Sequence, residues 1–293
     1  MMSDVVKPKR GGPRSRVDWS ETQPYKRITV SKVSPAIGAA ISGVQLADVD
    51  DETLAEIRRA LNENCVIFFR DQQMTPEQHI AFGRRFGDLD VHPAAANSAG
   101  FEEILVISAD ENSNRANGEA WHSDVSCEPM PPMGSILYMK ELPPGGGDTL
   151  FANMYAAYDA LSDRMKEYLH GLVAVHDGNH VYKGLYAGVA DKPTYPMAKH
   201  PIVRTHPETG RPCLFVNRSF TTHIVGLPKD ESDAILNYLY NHIEHPNFQT
   251  RFVWEANSVA FWDNRSAQHR AIWDYWPHRR YGHRVTVKGD TPV

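Results

Sequence analysis

The chain has 293 residues, a formal net charge of −5 and three cysteines. That length suits one catalytic domain, since barrel-like β folds reach about 250 residues as a single unit, and a hydrophobic fraction of 41% is enough for a large core. Mild acidity gives no reason to propose a nucleic-acid partner. No apolar run approaches the ~20 residues of a membrane span, and the scattered Cys65, Cys127 and Cys213 form neither a disulfide framework nor a CxxC zinc site.

The first residues, Met1 to Arg16, are basic but lead into no apolar stretch, so they read as a mobile tail and not as a secretory signal. The expectation is a tail over 1–20, one domain over 21–293, and small buried cysteines in a reducing, cytoplasmic setting. Ile28 to Val33 alternates apolar and polar residues and predicts a strand. Ile37 to Val44 carries glycines that suit a bend. Leu54, Ile57 and Leu61 recur at helical spacing, which predicts a helix over Asp51–Asn64, and Cys65–Phe69 follows as a buried strand. Thr75, Pro76 and Gln78 form a capping-box start for a helix that stops at Gly87.

Ile104–Ser108 predicts a strand, Asp110–Glu119 a polar loop, and Ser135–Met139 another strand. Pro143 to Gly147 is a turn, and Tyr155–Leu172 reads as one helix. Gly178 to Pro201 shows little periodicity and reads as a lid-like insertion near 178–200. Leu214–Asn217, Phe252–Glu255, Ser258–Asp263 and Arg284–Lys288 predict short strands, with a helix over Lys229–His242 among them. Many short strands with a few helices indicate a β-rich α+β chain, not βαβ alternation.

The chemistry starts at His122-Ser123-Asp124. In a strand, residues two apart face the same side, so an imidazole and a carboxylate can address one ion. A further histidine at His269 would complete two histidines and a carboxylate on one face of an octahedron. That leaves positions open for substrates and oxygen, as iron(II) oxygenases require. HxD alone is weak evidence, because short pairs recur by chance.

The wider context is more specific: Trp121-His-Ser-Asp124, Gly146-Gly-Asp-Thr149, His200-Pro-Ile-Val-Arg204 with His206-Pro, Phe215-Val-Asn217, Trp262-Asp-Asn-Arg265 with Gln268-His269, and Arg280 and Arg284. On these motifs, in this order from about Ile28 to the C-terminus, the chain resembles the taurine dioxygenase (TauD/TfdA) family of iron(II)- and 2-oxoglutarate-dependent dioxygenases. The resemblance implies a double-stranded β-helix, or jelly roll, with flanking helices. It implies Fe(II), 2-oxoglutarate and O2 as cofactor and co-substrates, with His122, Asp124 and His269 as iron ligands. Arg280, 11 residues after His269, matches the arginine that pairs with the C5 carboxylate of 2-oxoglutarate, and Thr149 matches its hydroxyl partner. Arginine suits that place because its planar fork grips a carboxylate through two bonds. Arg279 is expected to point to solvent and Trp262 to belong to the core.

For the substrate, the resemblance implies an anionic head group held by Arg284 and His92. Taurine-specific members carry a tyrosine where this chain has Ala95, and an asparagine where it has Gly118. Both differences remove volume and hydrogen-bond partners, which argues against taurine. The expected substrate is a bulkier anion: a longer alkanesulfonate or sulfonated sugar, and alternatively an alkyl sulfate ester or an aryloxyalkanoate. Phe220 and the stretch His180–Tyr186 are candidates to line its pocket or lid. A zinc hydrolase, a halogenase and a non-catalytic jelly-roll binding module are the rival readings. Asp124 fills the site a halide would need, and Arg280 with Thr149 argues against the zinc hydrolase. By analogy with the family, the chain is expected to form a dimer or tetramer.

Overall fold

The computed structural model describes residues 23–91, 97–98, 100–183 and 194–293, without the side chains of 97 and 98. The predicted tail at 1–20, His92, Ala95 and the middle of the predicted lid lie outside the described residues. The chain opens with a hairpin of β1 (Thr29–Lys32) and β2 (Ala39–Ser42). Helix α1 (Asp51–Asn64) is capped by Asp50, whose side chain accepts from the Thr53 N–H, and leads into β3 (Val66–Phe69). Helix α2 (Pro76–Arg84) has the capping box that Thr75 and Gln78 predict. Strands β4 (Leu89–Asp90), β5 (Asn97–Ser98), β6 (Phe101–Ala109) and β7 (Gly134–Glu141) follow.

Next comes β8 (Thr149–Asn153), which runs into α3 (Met154–Asp159) and then α4 (Asp163–Leu169). The single helix predicted over Tyr155–Leu172 is therefore two. Leu161 is buried, and Ser162 takes an extended backbone and caps α4 by accepting from Met165 N–H. A cap residue in mid-sequence outweighs the apolar periodicity on either side of it. The aperiodic stretch after it is also more regular than predicted. It contains β9 (Val173–Asp177), the short helix α5 (Gly178–Tyr182) and β10 (Met197–Pro201), which pairs with β9. Residues 184–193 of the predicted lid lie outside the described residues.

The remaining elements are β11 (Val203–Thr205), β12 (Pro212–Leu214), β13 (Thr221–Ile224), α6 (Lys229–Ile243), β14 (Gln249–Phe252), β15 (Val259–Asp263), β16 (Ala267–Ala271) and β17 (Arg280–Val287). Two predicted strands are displaced. The strand predicted at Leu214–Asn217 ends at Leu214, because Asn217 closes a turn whose side chain accepts from Phe220 N–H. The strand predicted at Phe252–Glu255 ends at Phe252.

The large sheet runs β1-β2-β3-β15-β7-β17-β6-β5, with β4 beside β17, and a smaller sheet runs β14-β8-β16. Pairing is antiparallel except between β2 and β3. This sheet-rich arrangement is a jelly-roll core with flanking helices. Strict alternation divides the large sheet's side chains between two cores. Ile67, Phe69, Ile136, Tyr138, Val259 and Phe261 face a cluster shared with α1 and α2. Val66, Phe68, Leu137, Met139, Ala260 and Trp262 face the other way, onto Phe151 and Ala152 of the small sheet. Both faces are covered, so β3 can be the unbroken apolar run Val-Ile-Phe-Phe. All three cysteines are buried, and burial pushes their thiols up to about 12, which leaves them unreactive. Among the described residues no helix is long and apolar enough to cross a membrane.

Candidate active site

The space between the two sheets ends in a cavity of about 320 Å³. His122 and His269 meet there through the backbone: each N–H donates to the other's carbonyl, at 3.1 and 2.9 Å, as an isolated antiparallel bridge. His269 comes from β16. His122 and Asp124 come from the segment before β7. One ligating atom from each of these three side chains lies within 4.8 Å of the others. Asp124 Oδ1 is 3.7 Å from His122 Nε2 and 3.9 Å from His269 Nε2. The predicted triad is thus brought together.

The surrounding bonds set each donor for a cation. His122 Nδ1 lies 2.8 Å from the carbonyl of Ala120, which can only accept. Nδ1 therefore carries the proton, and the Nε2 lone pair faces the other ligands. His269 packs against two rings, with centroids 4.6 Å from Trp262 and 6.1 Å from Phe151. Burial, aided by His122, holds its pKa well below the ordinary value, so it is neutral. For Asp124, burial alone would raise the pKa. Arg284 and the two imidazoles overcome that and hold the carboxyl well below the usual range. Two imidazoles that turn Nε2 towards an ionised carboxylate form a donor set for a divalent transition metal.

Asp124 is held at both oxygens. Oδ1 accepts from Arg284 Nη1 at 2.8 Å, and Oδ2 accepts from Ser135 Oγ at 2.8 Å. Asn264 joins the same network: its Oδ1 accepts from the Asp124 N–H at 3.2 Å and from Trp262 Nε1 at 3.0 Å, and its Nδ2 reaches Ser135 Oγ at 3.4 Å. The turn that carries Asn264 is itself fixed by buried charge. Asp263 accepts from Arg265 Nε and Nη2 at 2.9 and 2.7 Å and contacts His206 Nε2 at 3.0 Å. This gives His206 and Arg265, both in the motifs of the sequence, structural work close to His269.

Strand β17 carries both predicted arginines on its cavity face. Arg280 is buried, yet among the described residues no carboxylate lies within ion-pair distance of it. Its Nε donates to the Gly147 carbonyl at 3.0 Å, and burial lowers its pKa from the ordinary value against the opposing pull of Tyr275 and Asp148. A buried cation without a counter-charge fits an incoming anion. Thr149 lines the same cavity, and its Oγ1 accepts from Trp254 Nε1 at 3.0 Å. Arg279 is half exposed against Glu141, as expected. Arg284 sits between Leu105 and Leu137 in register, and its Nε is buried without a hydrogen-bond partner.

Gly118 and Phe220 also line the cavity, together with Leu105, Ile107 and Val181. Gly118 has φ +84°, where side chains are strained, and an added Cβ would lie 3.0 Å from His122 Cε1. Its carbonyl accepts from Ala271 N–H at 2.8 Å. The missing asparagine therefore reflects backbone geometry as well as space. His92 and Ala95 lie outside the described residues. Sequence reasoning assigned no role to Ser135, Asn264 or Trp254. Ser135 was within reach: in a strand whose Leu137 and Met139 face the cavity side, Ser135 must face it too.

The model of the taurine catabolism dioxygenase TauD, TfdA family matches residues 29–286. The chain belongs to the TauD/TfdA family. An alpha-ketoglutarate-dependent sulfonate dioxygenase of Saccharomyces cerevisiae is 34% identical over 281 residues, which cover 91% of this chain and 68% of that protein. An alkylsulfatase of Acinetobacter baylyi is 33% identical over 279 residues, covering 91% of this chain and 87% of that one. The crystal structure of a taurine dioxygenase from Burkholderia xenovorans superposes with a TM-score of 0.81 at 39% identity, covering 92% of this chain and 91% of that one. As a TauD/TfdA protein, the chain is a 2-oxoglutarate-dependent dioxygenase that takes Fe(II), 2-oxoglutarate and O2. The donor set of the triad and the uncompensated Arg280 fit that requirement.

Proposed function

We propose that this dioxygenase hydroxylates the carbon next to the leaving group of a small anionic organic substrate, an alkanesulfonate or sulfonated sugar, and releases sulfite and an aldehyde. The observation that supports it is the pair of buried arginines on one face of β17. Arg284 lies four positions along the strand from Arg280, roughly 13 Å of backbone, which leaves room for two anions beside the triad. Arg280 and Thr149 take the C5 carboxylate of 2-oxoglutarate, directing its keto-acid end at His122, Asp124 and His269. Iron(II) held by that triad supplies the oxygen activation that is coupled to decarboxylation of 2-oxoglutarate to succinate.

Arg284 takes the substrate anion. The apolar wall of Leu105, Ile107, Leu137, Val181 and Phe220 excludes water and holds the rest of the molecule. A hydroxyl placed on the carbon that bears the sulfonate makes that carbon unstable. The O–H proton is lost, C=O forms, and the C–S bond breaks with its electron pair leaving on sulfite. The same collapse on an alkyl sulfate ester releases sulfate, and on an aryloxyalkanoate a phenol. The alkylsulfatase relative and the apolar wall favour sulfate esters as the second reading. The domain over 21–293 acts in a homo-oligomer, a dimer or tetramer, without nucleic-acid or membrane partners.

The test is a panel of alkanesulfonates, sulfate esters and aryloxy acids, read by substrate-stimulated succinate formation at saturating iron. At an iron concentration that offsets the lost Arg284 bond to Asp124 Oδ1, the best substrate's KM is expected to rise roughly 30-fold or more in Arg284→Ala, the cost of removing a buried charge partner, while the KM for 2-oxoglutarate moves little. An equal rise in both would sink the division of labour between Arg280 and Arg284.

A further inference from the structure

We infer that Trp254 is a positioning residue for 2-oxoglutarate, fixing the direction of the Thr149 hydroxyl with its indole edge and bracing the Arg280 guanidinium with its face. The inference rests on the reading that Thr149 and Arg280 hold the co-substrate carboxylate.

Trp254 stands two residues beyond Phe252, where the ladder between β14 and β8 ends on the pair Phe252–Thr149. It is buried and packs edge-on against Phe252, with ring centroids 4.9 Å apart. Its Nε1 lies 3.0 Å from Thr149 Oγ1. The Arg280 Cζ lies over the same ring, 5.6 Å from the centroid. One side chain therefore touches both groups assigned to the carboxylate.

The polarity of these contacts matters. An indole N–H can only donate, so the Thr149 oxygen must accept there. The hydroxyl keeps its own hydrogen, and among the described residues that hydrogen has no acceptor. Thr149 and Arg280 both line the cavity, so the hydrogen is available to an anion inside it. Without the indole, the hydroxyl could turn and present a lone pair to the carboxylate, which would repel it.

The face works on the cation. A guanidinium within about 6 Å of an indole centroid is attracted by the ring quadrupole. A carboxylate at position 254 would hold Arg280 more strongly, but it would also neutralise the charge that attracts 2-oxoglutarate. The indole orients Arg280 while leaving its charge unspent. The two groups assigned to the carboxylate thus both present hydrogens: those of Arg280 and that of Thr149.

The experiment measures the Kd of 2-oxoglutarate for the Mn(II)-substituted enzyme by calorimetry. Trp254→Phe keeps the aromatic face and deletes the N–H. Its Kd is expected to rise about three- to tenfold, the worth of one neutral hydrogen bond. In a Thr149→Val background, the same change should add less than about twofold, because its route of action is gone. If Trp254→Phe does not fold, 3-benzothienylalanine at 254 keeps the bicycle and exchanges N–H for sulfur, with the same expectation. An unchanged Kd in either replacement overturns the inference, and so does an effect that multiplies fully with Thr149→Val. A different failure is separable: if Thr149→Val and Arg280→Met both leave Kd unchanged, the co-substrate assignment itself is wrong.

Discussion

Replacing Arg280 with methionine should move stability and co-substrate binding in opposite directions. Arg280 is 5% exposed, and its one hydrogen bond among the described residues goes to the Gly147 carbonyl, with no carboxylate within ion-pair distance. A buried, poorly compensated cation costs folding free energy, so an apolar chain of similar length is expected to leave stability unchanged or raise it by about 1 kcal/mol. Binding behaves otherwise. A bidentate arginine–carboxylate pair contributes two charge-assisted hydrogen bonds of about 1.5–3 kcal/mol each. Losing them should weaken 2-oxoglutarate by at least about 3 kcal/mol, more than a hundredfold in Kd. Calorimetry on the Mn(II) form gives the affinity, and urea unfolding of the metal-free form gives the stability. A Kd within threefold of the parent, with substrate KM raised instead, would refute the assignment of Arg280 to the co-substrate.

Two further perturbations probe other parts of the structure. Ser135→Ala removes the hydroxyl that holds Asp124 Oδ2 at 2.8 Å and should weaken Mn(II) or Co(II) binding by roughly 10- to 100-fold, as loss of a partner to a ligating group does. Calorimetric affinity within twofold of the parent would show that Asp124 needs no such support. His79 is buried in α2 with Nε2 3.1 Å from the Ile136 carbonyl, and burial pushes its pKa down to about 3. Its folded pKa lies below its unfolded one, so the unfolded chain takes up the extra proton. Stability is constant above about pH 6.5 and falls as pH drops from there towards 3. Between pH 7.5 and 5.5 the parent should lose about 1.4 kcal/mol more than His79→Gln in urea unfolding. Identical pH dependence in the two would contradict a neutral, buried His79.

Much of the site was legible in the sequence because its chemistry is carried by residue types at fixed spacing. His122 and Asp124 were two apart in the chain, and His269, Arg280 and Arg284 followed in the family's order. What spacing could not show was the partner of each group. The hydrogen bond of Arg284 to Asp124 joins residues 160 positions apart, and that of Ser135 to Asp124 depends on strand register. Trp254 looked like part of a strand, and its role arises only because β14 ends beside Thr149. For the fold, α1 was clear from its periodicity and α2 from its capping box. The predicted helix over Tyr155–Leu172 failed because a local cap at Ser162 competes with an apolar pattern that runs through it. The strands around the site were the hardest to place. In β16, Ala-Gln-His-Arg-Ala shows no alternation, since its side chains are chosen for the metal site and the Val216 carbonyl, which Gln268 Nε2 reaches at 2.6 Å.

The most direct test of the account follows succinate and O2 together in the purified protein, supplied with Fe(II), 2-oxoglutarate and the best substrate of the panel. The account predicts one O2 consumed and one succinate formed per product, abolished in Asp124→Ala and in anaerobic buffer. Product formation with Zn(II) in anaerobic buffer, without succinate, would contradict it and make the triad a hydrolytic centre.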